Sequence, residues 1–404
     1  MSNKDINRRD FLTGFGSTSM GMLIASGMTG RRADAAEKVI PGFDDKGSGD
    51  IKLNWKPVSN RKIRMGIVGY GVCKFGAAFG FQNHPNVEIV AVSDLIRKRS
   101  QGLMKACRCE KSYESLEELV KDNSIEAVFV ATDAPNHARH CMEVMNHGKH
   151  VMTAVPAVWG SLEDADRLLE TVKKTGMKYM MAETSCFRAD CYGMMKIYKA
   201  GGFGKLVYSE GEYHHFHSGQ IGSFKGWRIG SPPLWYPTHS TAYYVGVTAQ
   251  RFTSVSCLGV KSDRESLRPG ANKYNNPFSD EIALFKTSQG GTSRMTKTSS
   301  IYKLIAERGR VFGEKGWMEG TKYFGSMKNL PDIRRPALPP GMPAGGHGGS
   351  HGPLANEFIE SIILDRIPLV NIYQALSMTV PGIVAHQSAI KDGENLKVPQ
   401  YVMT

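Results

Sequence analysis

Gly69, Gly71 and Asp94 have the residue types and the spacing to hold a dinucleotide. Gly69 allows a tight turn and Gly71 lets the backbone approach a pyrophosphate. The amides of Tyr70, Val72 and the following helix then face the anion. An acid about twenty residues further on, where Asp94 stands, accepts hydrogen bonds from an adenosine ribose. A carboxylate there repels a 2′-phosphate, so NAD is expected; Arg97, Lys98 and Arg99 leave NADP open. Lys74 takes the place of the fingerprint's third glycine and the next glycine is Gly76, so the close helix–strand contact is made differently.

A second set of residues lies further along. His214, His215 and His217 invite a metal reading, as do His347 and His351. Strand alternation puts His215 and His217 on one face and His214 on the other. No glutamate completes a known metal spacing, so no metal is expected. An aromatic-rich cleft (Trp227, Trp235, Tyr236) is the simpler reading, because aromatic rings stack on the apolar faces of sugars. The seven cysteines are odd in number and lack paired metal spacing, which predicts free thiols and no disulfide framework.

The elements that must position these residues fall into two halves. Over 61–181, strands at 63–68, 87–92, 125–130, 149–152 and 177–181 alternate with helices at 75–83, 96–106, 115–121, 137–147 and 161–175. Such alternation makes a parallel, doubly wound α/β sheet, a Rossmann domain. Thr132, Asn136 and His137 then sit beside a bound dinucleotide at its carboxyl edge; His137 has a helix-capping alternative. Residues 182–404 read as a second domain. Its helices are 188–200, 354–364 and 372–390, and its strands lie near 205–213, 253–260, 281–286, 292–298 and 310–313. A Pro/Gly/His-rich loop covers 325–353.

At 404 residues, two domains are the expectation. The net charge of +13 comes without long like-charge runs or basic–aromatic motifs, which argues for solvated faces and anionic ligands and against nucleic acid. Residues 1–35 read as a twin-arginine signal: Asn7-Arg8-Arg9-Asp10-Phe11-Leu12, an apolar stretch, then Ala33-Asp34-Ala35. Residues 36–60 read as an extended arm. The expected address is periplasmic or extracellular after handling by the twin-arginine machinery, with no membrane span in the mature form. Export of a folded protein favours a tightly held cofactor regenerated in place.

G-I-V-G-Y-G, the strand ending in Asp94, A-T-D-A-P-N-H, and G-K-H-V-M leading to Ala154-Val155-Pro156 together resemble the Gfo/Idh/MocA family. The resemblance implies a Rossmann domain followed by an α/β domain on an open, largely antiparallel sheet that carries the sugar site. It places Ala154 beside the cofactor. Most members have Glu-Lys-Pro where this chain has Ala154-Val155-Pro156, so the lysine that assists proton transfer is missing. Four segments (182–190, 201–215, 235–239 and 346–349) are similar to the NAD-dependent glycosidases of family 109. That likeness implies oxidation of a sugar at carbon 3, elimination of the aglycone, addition of water and return of the hydride. It makes His239 the acceptor of the hydroxyl proton and Tyr213 the base at carbon 2, its phenol pKa lowered by nearby cations. Glu183, Arg188, Trp227, Tyr236 and His347 would bind the sugar. The alternatives are a sugar or polyol oxidoreductase with net oxidation, and a non-catalytic sugar or nucleotide sensor. A homo-oligomer is expected.

Overall fold

The computed structural model describes residues 55–219 and 221–403. The expected signal segment, and the arm as far as residue 54, lie outside the described residues.

Six strands form the first sheet: β1 (Ile63–Val68), β2 (Val87–Ser93), β3 (Ser112–Tyr113), β4 (Ala127–Val130), β5 (His150–Thr153) and β6 (Tyr179–Met181). Their order is β3-β2-β1-β4-β5-β6 and every pairing is parallel. β4 and β6 are buried along their whole length, as unbroken apolar runs covered on both faces must be. The order reverses between β1 and β4, where open parallel sheets take their ligands.

The flanking helices are α1 (Phe75–Ala78), α2 (Arg97–Cys107), α3 (Leu116–Leu119), α4 (His137–Asn146) and α5 (Leu162–Thr175). α5 shows why the sequence was readable. Ser161 caps it by accepting from the Asp164 amide, acids open it, lysines close it, and Gly176 ends it in the left-handed conformation. The helix expected over 75–83 is shorter than read. Gly80, at φ +76°, separates α1 from a 3₁₀ turn at Phe81–Asn83. Gly76 does the work of the missing third glycine: a Cβ there would stand 2.4 Å from the Gly69 carbonyl oxygen.

The second sheet contains β7 (Leu206–His215), β8 (Phe252–Lys261), β9 (Phe278–Thr287), β10 (Thr292–Thr298), β11 (Ile305–Gly313), β12 (Gly316–Glu319), β13 (Lys322–Gly325) and β14 (Leu396–Lys397). Its order is β13-β12-β11-β7-β10-β9-β8-β14, antiparallel except where β7 meets β10. Five helices accompany it: α6 (Ala189–Lys199), α7 (Thr238–Thr248), the short turn α8 (Gly346–Gly349), α9 (His351–Ile363) and α10 (Ile372–Ile390). α9 buries Leu354, Phe358, Ile359 and Ile362, as its spacing required.

α7 is absent from the sequence reading, which placed no helix between residues 200 and 354. All its residues except Gly246 are buried, so it shows no 3.6-residue polar face to read. It lies directly on β7 and β11, because a Cβ on Gly211 would be 1.9 Å from the Ser240 carbonyl oxygen and one on Gly309 would be 2.1 Å from the Tyr243 ring. β11 also starts five residues before the expected 310, which brings Glu307 into register with Tyr213.

Candidate active site

One cavity follows the carboxyl edge of the parallel sheet from Gly69 and Gly71 past Asp94, then across Thr132 and Ala154–Val155 to Trp227 and Tyr236. Its shape suits a dinucleotide. Gly69 has φ +101° and a Cβ there would lie 2.3 Å from the Ala131 carbonyl oxygen, so only glycine fits the turn. A Cβ on Gly71 would meet nothing within 4 Å, which leaves that side of the turn open. Val72 lines the same wall. Asp94 is held by the amides of Tyr70 (2.7 Å) and Ile96 (2.8 Å), with lone pairs left for ribose hydroxyls.

Other expected cofactor residues take different parts. The Tyr70 ring packs against Gly102 of α2, so only its amide serves this site. Asn136 does not line the cavity; its amide donates to Asp133 (2.7 Å). His137 lines the cavity and caps nothing: its ring nitrogens face the carbonyls of Pro156 (2.8 Å) and Thr132 (3.2 Å). It ties the ends of β4 and β5 together, and burial pushes its pKa down.

A second cavity joins the first at Trp227, Arg228 and Tyr236 and extends to Tyr213, His215, Lys297 and Arg264. Behind the aromatic wall lies His239, buried, its Nδ1 2.8 Å from Oε1 of the fully buried Glu183. The same oxygen accepts the Ser185 amide (2.8 Å). His239 Nε2 is buried without a hydrogen-bond partner among the described residues. Ring centroids of Tyr213, Tyr236 and His347 stand 4.6, 5.4 and 6.0 Å from that of His239. Glu183 therefore orients the imidazole, and its oxygens are not presented to the cavity. Arg188 sits 4.0 Å from both Asp190 and Glu307, also outside the cavity lining. His347 bonds His351 (2.9 Å) and stacks beneath the site. Trp235 packs under Gly160 with Trp159 and Tyr274, leaving Trp227 and Tyr236 to line the cleft.

Glu307, which sequence reasoning missed, approaches the same group and accepts from Ser185 Oγ at 2.5 Å. Ligand-type atoms of Glu183, His239 and Glu307 lie within 4.8 Å of one another. Of the histidines first weighed as ligands, His214 bonds Thr298 (2.7 Å) and His217 the Gly219 carbonyl (2.6 Å), while His347 and His351 bond each other. Burial works against charge on His239, but the carboxylates of Glu183 and Glu307 outweigh it and raise its pKa. Burial likewise opposes ionisation of Glu183, yet the imidazole beside it lowers its pKa; burial raises that of Glu307. Tyr213 departs from expectation. Burial, reinforced by Tyr236 and Glu307, lifts its phenol well above the ordinary value, despite Lys297 Nζ at 4.9 Å from its ring centre.

All seven cysteines are free, six of them buried. Among the described residues, no helix is long and apolar enough to cross a membrane.

Residues 63–183 match the model of the oxidoreductase family with an NAD-binding Rossmann fold, GFO_IDH_MocA. That match covers the parallel-sheet part of the chain, which is similar to the Gfo/Idh/MocA family. A glycosyl hydrolase family 109 protein of Bacteroides fragilis is 30% identical over 162 residues, 38% of this chain. The match spans 35% of that relative's length. A family 109 protein of Streptomyces niveus is 23% identical over 425 residues, covering 91% of this chain and 84% of its own. In fold, the chain is similar to the myo-inositol dehydrogenase of Lactobacillus casei solved with NAD(H) and myo-inositol: TM-score 0.64, 15% identity, 85% of this chain and 98% of that one. Over residues 63–183 the chain is thus similar to NAD-binding oxidoreductases, and along most of its length to family 109 proteins.

Proposed function

We propose that this protein hydrolyses glycosides by a redox-neutral route with NAD held throughout. The observation that carries the reading is the buried Glu183–His239 pair, set behind Tyr213 and Tyr236 where the two cavities meet, in a chain with Val155 in place of the family lysine. Gly69, Gly71, Asp94, Thr132 and Ala154 would hold the cofactor. Bound NAD would supply reversible acceptance of a hydride from carbon 3 and be unchanged after a full cycle.

The chain's own groups handle protons. Glu183 accepts the Nδ1–H bond of His239 and fixes the tautomer, so Nε2 is the atom that takes the carbon 3 hydroxyl proton. Tyr213, which lines the outer cavity with its ring centroid 4.6 Å from that of His239, would take the proton from carbon 2. In the unliganded site burial holds it as a neutral phenol, so removal of the carbon 2 proton requires its pKa to fall when the sugar is bound. Trp227 and Tyr236 offer ring faces to the sugar. Export through the twin-arginine route, carrying NAD already bound, completes the reading.

The test is release of aglycone from aryl glycosides of both anomers by purified holoenzyme with no added NAD. Release supports the proposal. Product showing a net change of redox state supports dehydrogenation instead, and binding without turnover supports a sensor.

A further inference from the structure

The outer cavity has a charge imbalance that the proposed chemistry does not use. Lys297 and Arg264 both line it. Neither has a carboxylate within ion-pairing distance among the described residues, although twenty-one such pairs occur elsewhere in this part of the chain. Arg264 is clamped by the carbonyls of His217 (3.2 Å) and Ser299 (3.0 Å) and by Ser299 Oγ (3.0 Å). Those bonds use three of its five N–H groups and leave two. Lys297 stands on β10 directly opposite Tyr213 and makes one bond, to the Thr298 carbonyl at 3.2 Å. Burial, against the opposing pull of Asp280 and with Arg264 nearby, holds its pKa down to about 8.

The acids close by make no direct contact with the pair, although Asp280 is near enough to favour the charge on Lys297. Asp280 is occupied by the amides of Ser299 (2.7 Å) and Ser300 (3.1 Å) and by the hydroxyls of Ser279 and Ser300. Glu265 is exposed at the rim. Two fixed cations sharing one cavity wall repel each other, and an anion between them relieves that repulsion.

We propose that this cavity is an anion subsite, and that the sugar or glycoside bound here carries a carboxylate or sulfate group placed against Lys297 and Arg264. The inference rests on the sugar site proposed above. It does not depend on which reaction occurs there.

The experiment is calorimetric binding to the NAD-loaded protein in low salt. The probes are glucose, galactose and mannose, each with its uronate and its 6-sulfate. In at least one sugar series an anionic member should bind about 10–100-fold more tightly than the neutral parent, the usual worth of a charge-assisted hydrogen-bonded contact. Uronate and sulfate arms separate the two anions. Lys297→Met should remove the preference and leave neutral binding within a few-fold. Arg264→Met provides a second variant should the first fail to fold, as judged by circular dichroism and NAD content. Equal binding of neutral and anionic members, preference for the neutral, or binding of none would overturn the proposal. A clear anion preference in a protein that releases no aglycone would sink the glycosidase reading alone.

Discussion

His239 and Glu183 carry the sharpest residue-scale expectations. His239→Ala should slow turnover by about 10²–10⁴-fold, the range of a general base, with NAD content unchanged because His239 lines no part of the dinucleotide cavity. A variant keeping more than half of wild-type activity would contradict the assignment. The pH profile tests the pair. A base must be unprotonated to act, so activity rises as pH climbs through the pKa of His239. The Glu183 carboxylate raises that pKa, so the acid limb should lie above the ordinary imidazole value. Glu183→Gln removes an opposite charge 2.8 Å away and should shift the limb downwards by about 1–3 pH units. An unmoved limb, measured as kcat/KM against pH, would mean that Glu183 is only a structural anchor. The importance of His239 followed from its motif, but Glu183 was taken for a sugar contact. A motif shows that a carboxylate is present; only the fold shows its oxygen facing an imidazole.

Elements explain why the site was partly legible. The parallel sheet was readable almost residue by residue because β1, β2 and β4 are short apolar runs between glycines and caps. α7 was not, since a helix buried all round has no polar face and its Thr, Tyr and Val content mimics a strand. Missing α7 hid the neighbours of His239, and starting β11 late hid Glu307. Gly211 should therefore be intolerant of any side chain. Gly211→Ala drives a methyl into the Ser240 backbone and should destabilise the fold by about 1–3 kcal/mol, the usual scale of overpacking. It should also weaken catalysis by lifting His239 away from Tyr213. Thermal unfolding beside activity checks this; a variant with wild-type melting and turnover would show that α7 has slack.

At the scale of the whole molecule, the turn at Gly69–Gly71, the aromatic wall and the proposed export all point to a cofactor that stays in place. Purified protein should release near-stoichiometric NAD(H) on heat denaturation, whereas Gly69→Ala, whose Cβ meets the Ala131 carbonyl, should release little. Protein that neither carries nor acquires nicotinamide would contradict this. The outer face of the second sheet bears stacked rings across three strands, with Phe312–Trp317 centroids at 5.9 Å and Trp317–Phe324 at 4.2 Å, and exposed Leu258 and Leu284 towards the other edge. We propose this face as the contact of the expected homo-oligomer, to be checked by light scattering of wild type against Trp317→Glu with Leu258→Lys.

The central claim is that the sugar is oxidised, cleaved by elimination and reduced again on one enzyme. Hydrolysis of a good aryl glycoside in deuterated water, with the released sugar examined by NMR and mass spectrometry, tests it most directly. The account predicts deuterium at carbon 2, since that hydrogen leaves and is replaced from solvent. Sugar released by this enzyme with no deuterium at carbon 2 would contradict it.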